Sequence, residues 1–248
     1  MQELWANNTF WRIVINLIAV FSIIFGFWLV AKLVKSLFLN NKQKKLMDEK
    51  FINIKNLPNI FSNNTQICLV VNYAQNVDLK ILDENEDIEG LISCAGVGYF
   101  GNLENFSLDQ ILSSLNTNLL SHVILTKYLV PFFKKKNKGK LIYIGSESAL
   151  DGGKKGSLYS AAKFGLRGFT QSIRAELASR NITVTLINPG MVKTNFFNNL
   201  NFQPGLSKKN SIVVYDIAKV VISILQMDTN TSVDEVVMNP IIKSVIKK

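Results

Sequence analysis

The 248-residue sequence has little of what most small-protein sites are built from. Its two cysteines, Cys68 and Cys94, each sit inside an apolar run, so neither a disulfide framework nor a zinc site of the usual spacing can be drawn. Its single histidine, His122, lies on an apolar helical stretch with no acid nearby. That excludes a His-rich metal centre and disfavours a Ser-His-Asp hydrolase, whose base would have to be this one residue. His122 reads as a core or interface residue. The net charge of +10 comes without an Arg-rich or aromatic-interleaved stripe. Its densest basic run, "KKKNKGK" from Lys134 to Lys140, falls between an expected helix and an expected strand and reads as a solvated loop, not a nucleic-acid surface. Glycine is absent between Gly26 and Gly90, so that stretch cannot hold a glycine-rich loop of the kind that lets backbone amides approach a phosphate.

What the sequence does have begins with a long apolar run. Residues 13–31, "IVINLIAVFSIIFGFWLVA", carry no charge. At 1.5 Å per residue they would span about 28 Å as a helix, close to the hydrocarbon thickness of a bilayer. Trp5, Trp11 and Trp28 fall at or beyond its edges, as in an interfacial belt. Lys32, Lys35, Lys42, Lys44 and Lys45 follow it, against Arg12 in front, so the positive-inside bias puts the remainder on the cytoplasmic side. The expectation is a membrane anchor and basic linker over 1–50 and a globular domain over 51–248. A wholly cytoplasmic chain with 13–31 buried is the alternative.

Beyond the linker the pattern alternates. Strand-like runs occur at 66–71, 90–96, 140–146, 183–190 and 234–240, with helix-like stretches near 107–133, 157–179 and 213–227. Near-continuously apolar strands separated by helices predict a parallel α/β sheet covered on both faces. "SLDQ" at Ser107–Gln110 predicts a capping box, with Pro131 near the end of that helix. In the next helix Ala162, Leu166, Phe169, Ile173 and Leu177 form an apolar stripe, while Ala161, Gly165 and Gly168 permit close helix approach.

Chemistry concentrates in "SLYSAAKFGLRGF", 157–169. Tyr159 and Lys163 share a helix face one turn apart. A phenol of pKa near 10 is a poor base at neutral pH, and a neighbouring ammonium would lower it into exchange range. Ser146 ends a strand thirteen residues earlier, at the sheet edge where ligands bind in open parallel sheets. A hydroxyl there can share a carbonyl oxygen with the tyrosine. "INPG" brings Pro189 and Gly190 to the same edge, and Asn118 is an amide within the preceding helix.

From about residue 66 onward this set resembles the short-chain dehydrogenase/reductase family. The matching residues are Ser146, Tyr159-x-x-x-Lys163, "PGMVKT" from Pro189 to Thr194, the helical Asn118, and "SCAG" at Ser93–Gly96 where the family has Asn-Asn-Ala-Gly. The resemblance implies a Rossmann-like doubly wound fold and hydride transfer between NAD or NADP and a carbonyl or alcohol. It implies that Tyr159 is the acid/base, that Ser146 orients the carbonyl, and that Lys163 lowers the phenol pKa and holds the nicotinamide ribose. It further implies that Asn118 anchors a relay water, that Cys94, Ala95 and Gly96 form the adenosine-side turn, and that Pro189, Gly190, Val192 and Thr194 border the nicotinamide. "NFFNNLNFQPG", 195–205, would be an apolar lid, and a homo-oligomer is expected. The family's opening strand–glycine loop–helix–strand unit has no counterpart here. Residues 46–65 are too short to rebuild it, so the strand carrying Ala95 and Gly96 is expected to lack a neighbour. The sequence thus supports an oxidoreductase acting on a small, lipophilic carbonyl or alcohol. The other reading is a membrane-tethered binding protein that keeps the reductase shell without dinucleotide.

Overall fold

The computed structural model describes residues 88–228 and 230–248, together with the strand segments Ile52–Asn53 (β1) and Ile67–Val71 (β2). The expected span at 13–31 and the rest of the 1–50 segment lie outside the described residues. Among the described residues, no helix is long and apolar enough to cross a membrane.

The other elements follow in an α/β order. They are β3 (Ile88–Ser93), α1 (Leu108–Leu115), a π turn (Asn116–Leu120), α2 (Ser121–Lys136), β4 (Gly139–Ile144), α3 (Ser157–Leu177) and β5 (Ile182–Pro189). Next come β6 (Phe202–Pro204), α4 (Val214–Gln226), β7 (Glu235–Met238) and β8 (Val245–Lys247). The main sheet runs β1-β2-β3-β4-β5-β7, parallel from β2 onward, with β1 antiparallel at the edge. The strand reading of 66–71 thus acquires a position that the sequence did not give it. β2 pairs in parallel with β3, so the flank expected to lack a neighbour is covered.

The central strands β3, β4 and β5 are buried on both faces because their residues are apolar in adjacent pairs. Leu91, Leu141 and Leu186 face a layer with Leu125, Leu129 and Phe133 of α2 and Leu166 and Leu177 of α3. Their neighbours Ile92, Ile142 and Ile187 face Val221, Ile224 and Leu225 of α4. Neither face can be polar, which is why these strands read as unbroken apolar runs.

Ser107 closes the predicted capping box, its Oγ accepting from the Gln110 amide at 3.2 Å while the Gln110 side chain accepts from the Ser107 amide at 2.9 Å. The long helix expected over 107–133 is instead two helices joined by the π turn. Pro131 lies inside α2, which continues to Lys136 and stops where Asn137 turns left-handed at φ 51°. Lys140 departs from the solvated-loop reading. Its ammonium is buried at the end of α4 and donates to the carbonyls of Leu225 (2.9 Å), Met227 (2.5 Å) and Ile224 (3.3 Å). The side chain satisfies carbonyls that a helix C-terminus leaves open.

Candidate active site

The sheet's carboxyl edge holds a cavity of about 340 Å³. Cys94, Ala95, Gly96, Ser146, Tyr159, Lys163, Pro189, Gly190, Val192 and Thr194 all line it, so every expected site residue except Asn118 faces one space. Three supports bring them together. β4 ends at Ile144, and its next turn carries Ser146. β5 ends at Pro189. α3 crosses both, presenting Tyr159 and Lys163 from one face.

Asn118 stands behind the wall, fully buried. Its Nδ2 donates to the carbonyls of Val97 (2.9 Å) and Ser114 (3.0 Å), and its Oδ1 accepts from the Val97 amide at 3.0 Å. The pair of bonds to Val97 imitates a strand ladder and fixes the turn after β3. The π turn sets Asn118 there by breaking the regular helix, as π turns often do at functional sites. Gly96 leaves this turn open, because a Cβ on it would lie 3.4 Å from Asn118 Oδ1 and 3.8 Å from Lys163 Nζ. His122 braces the same turn. Its Nε2 donates to the Ala95 carbonyl at 3.1 Å, which leaves Nδ1 to accept from the Ser93 hydroxyl at 2.6 Å. Burial, aided by the Lys163 charge and opposed by the Ala95 bond, lowers the His122 pKa to about 3, so the imidazole is neutral.

The electrostatics differ from the expectation for Tyr159. Burial pushes its phenol up to about 12; the Ser146 hydrogen bond pulls it down and Glu147 pushes it up again. Lys163 does not drive that shift. Its Nζ lies 5.8 Å from the ring centre and donates to the Ile144 carbonyl at 3.1 Å. The lysine is 2% exposed, and burial lowers its own pKa from 10.5 to about 8, with Cys94 opposing. At this depth desolvation outweighs the one-turn proximity on the helix. Cys94 is pushed up to about 12 by burial and remains a thiol at neutral pH.

Sequence reasoning missed the scaffold behind Ser146. Its amide donates to Asn188 Oδ1 at 3.0 Å, and Asn188 Nδ2 donates to Glu235 Oε1 at 2.6 Å. Glu235 in turn accepts a forked pair from Arg167, with Nε at 2.9 Å and Nη2 at 3.1 Å. Tyr159, Lys163 and Arg167 are spaced at i, i+4 and i+8, so one face of α3 is tied through them to the end of β4 and to β7. The Y-x-x-x-K-x-x-x-R spacing was the available signal. Gly145 admits the arrangement, since a Cβ there would fall 2.1 Å from Asn188 Oδ1. Phe100 and Glu147 also line the cavity and were likewise unmarked.

A family model described as short chain dehydrogenase matches residues 68–204, more than half of the sequence. The chain belongs to the short-chain dehydrogenase family. A 3-oxoacyl-acyl-carrier-protein reductase of Buchnera aphidicola is 38% identical over 122 residues, covering 49% of this dehydrogenase-family chain and 50% of that protein. Retinol dehydrogenase 8 of Bos taurus is 34% identical over 110 residues, covering 44% of this chain and 35% of that protein. The chain therefore spans half or less of the length of these two curated relatives. Among solved structures, an alcohol dehydrogenase from the archaeon Thermococcus sibiricus, complexed with 5-hydroxy-NADP, superposes with a TM-score of 0.59 at 23% identity. It covers 65% of this chain and 67% of that one. At that identity the likeness establishes a shared fold alone.

Proposed function

We propose that this chain is an NAD(P)-dependent oxidoreductase interconverting a carbonyl and an alcohol, with Tyr159 as acid/base. The observation that carries the reading is the convergence of Tyr159, Ser146 and Lys163 on one cavity at the carboxyl edge of the sheet. The reductase and dehydrogenase names of the relatives and the NADP ligand of the structural neighbour support it.

The residues present fit the nicotinamide–ribose half of such a cofactor. Gly96 keeps a cradle open beside Lys163, which spends one donor on Ile144 and lines the cavity with the rest of its ammonium. Pro189, Gly190, Val192 and Thr194 line the same cavity. A bound dinucleotide would supply the hydride. Ser146 and Tyr159 hold the carbonyl oxygen between two hydroxyls, and Tyr159 protonates it as negative charge develops. A phenol at about 12 is protonated at neutral pH and so holds the proton that this step delivers. Tyr159→Phe keeps the ring and removes the proton. The variant is expected to fold like wild type, by circular dichroism, and to lose carbonyl-dependent NAD(P)H oxidation. Equal turnover of the two proteins would falsify the assignment.

The reading also assigns 13–31 to a membrane, with the catalytic domain on the cytoplasmic side, on the strength of the sequence. Self-association is supported by exposed apolar residues on this helical stretch, Leu108 and Leu112 before Asn116 and Leu120, Ile124 and Tyr128 after it. The tethered binding-protein reading draws on one observation, the lack of glycine between Gly26 and Gly90. Calorimetric titration with NADH and NADPH separates the two, since a folded chain that binds neither belongs to the second.

A further inference from the structure

We propose that the pocket selects a flat aryl or conjugated carbonyl compound, through a closed circuit of five aromatic rings of which the reacting phenol is one. The proposal deepens, and rests on, the oxidoreductase reading. Going round the circuit, Tyr159 meets Phe100 at 5.1 Å between ring centres, Phe100 meets Phe202 at 5.1 Å, and Phe202 meets Phe197 at 5.8 Å. Phe197 meets Phe196 at 5.3 Å, and Phe196 returns to Tyr159 at 6.0 Å. All five rings line the cavity.

The circuit has a strong side and a weak side. The three contacts among the phenylalanines are edge-to-face, with interplanar angles of 90°, 71° and 81°. The two contacts made by Tyr159 are tilted, at 42° and 57°. Edge-to-face and offset-stacked pairs are the favoured geometries, so the contacts at Tyr159 are those a guest can replace with least loss. A planar guest beside the phenol regains ring contacts on both sides, whereas a puckered ring of the same size fills the space and regains none. The outer wall is fixed in place. β6, which carries Phe202, pairs with β8, and the Lys248 ammonium donates to the Phe197 carbonyl. Gly98 lets Phe196 close over the loop, because a Cβ there would fall 2.7 Å from that ring. The acid on the wall, Glu147, is paired with Lys243 at 2.6 Å, which leaves little net charge on that side of the cavity.

The test compares acetophenone with cyclohexyl methyl ketone, near-equal in size and different in planarity. Displacement of a fluorescent ketone, 2-acetyl-6-methoxynaphthalene, from the full chain reads binding without turnover. NADPH oxidation, read separately, gives kcat/KM for both ketones. Acetophenone is expected to displace the probe about tenfold better, the equivalent of roughly one well-made ring pair. Phe100→Leu and Phe202→Leu, which stay apolar but lose the ring, are expected to bring that ratio towards one. Equal displacement by the two ketones in the wild type overturns the proposal, as does an unchanged ratio in folded leucine variants. A binding preference without any turnover upholds the aromatic circuit and refutes the oxidoreductase reading. Turnover with equal kcat/KM does the reverse.

Discussion

Lys163 carries its charge where water barely reaches, and the protein's stability should record that burden. Its pKa falls from 10.5 in the open chain to about 8 in the fold. At about 1.4 kcal/mol per tenfold change in proton affinity, this corresponds to a penalty of roughly 3 kcal/mol on the buried ammonium. Because the folded pKa lies below the unfolded one, the unfolded chain binds the proton more tightly. The penalty is therefore complete below pH 8, shrinks as pH rises, and is gone above 10.5. Cys94 and Tyr159, both pushed up to about 12, pull the other way above their ordinary values. The informative quantity is therefore the difference between wild type and Lys163→Met at each pH. Urea unfolding followed by circular dichroism from pH 7 to 10.5 measures it. The variant loses the ammonium's bond to Ile144, which shifts the difference by a constant of about 1.5–3 kcal/mol. Superimposed on that constant, wild type should gain roughly 3 kcal/mol on the variant across the window. Parallel curves would mean that Lys163 keeps its solvent-like affinity for the proton, and the buried-ammonium description of the site would be wrong.

His122 should act in acid. Its pKa drops from 6.5 to about 3, so the unfolded chain takes up the proton first, and stability should decline as pH falls below 6.5. His122→Asn should flatten that decline in a thermal-melt series from pH 7 to 4; an equally steep series would show that other groups drive it. Gly145→Ala forces Asn188 off the Ser146 amide, because the added carbon would sit 2.1 Å from Oδ1. The expected result is a kcat at least tenfold lower, with a smaller change in dinucleotide affinity, and unaltered steady-state kinetics would remove Asn188 from any positioning role. Lys140→Met strips three carbonyls of their donor and is expected to cost about 1.5–3 kcal/mol, read as a lower urea midpoint. A midpoint within error of wild type would mean that water replaces the ammonium there.

The strands were legible because burial on both faces imposes an unbroken apolar spelling, which Leu141 and Ile142 illustrate by facing opposite helical layers. Tyr159, Lys163 and Ser146 were legible because a helix face and a strand end fix their relation within a few turns of chain. The π turn at Asn116–Leu120 was not. It resets the helix between two exposed apolar series, Leu108 with Leu112 and Leu120 with Ile124 and Tyr128, which are parted in the sequence only by Asn116 at the shared spacing. The bonds behind Ser146 span 42, 47 and 68 residues of sequence, and no local pattern couples Arg167 to Glu235 across such a separation. β6 and β8 are three residues each, too short for alternation to declare itself. The fall in the Lys163 pKa depends on depth, and a helical repeat says which way a side chain points without saying how much protein lies over it.

The small β6–β8 sheet stands apart from the main one, with Phe202 opposite Lys247. The pocket is therefore assembled from two separately hydrogen-bonded parts, the carboxyl edge of the main sheet and an aromatic curtain that the small sheet holds in place. Changes at Phe202 or Phe197 reach Tyr159 through Phe100 and Phe196. A peptide fused after Lys248 would tug on that curtain directly, so a handle placed there is itself a perturbation of substrate choice.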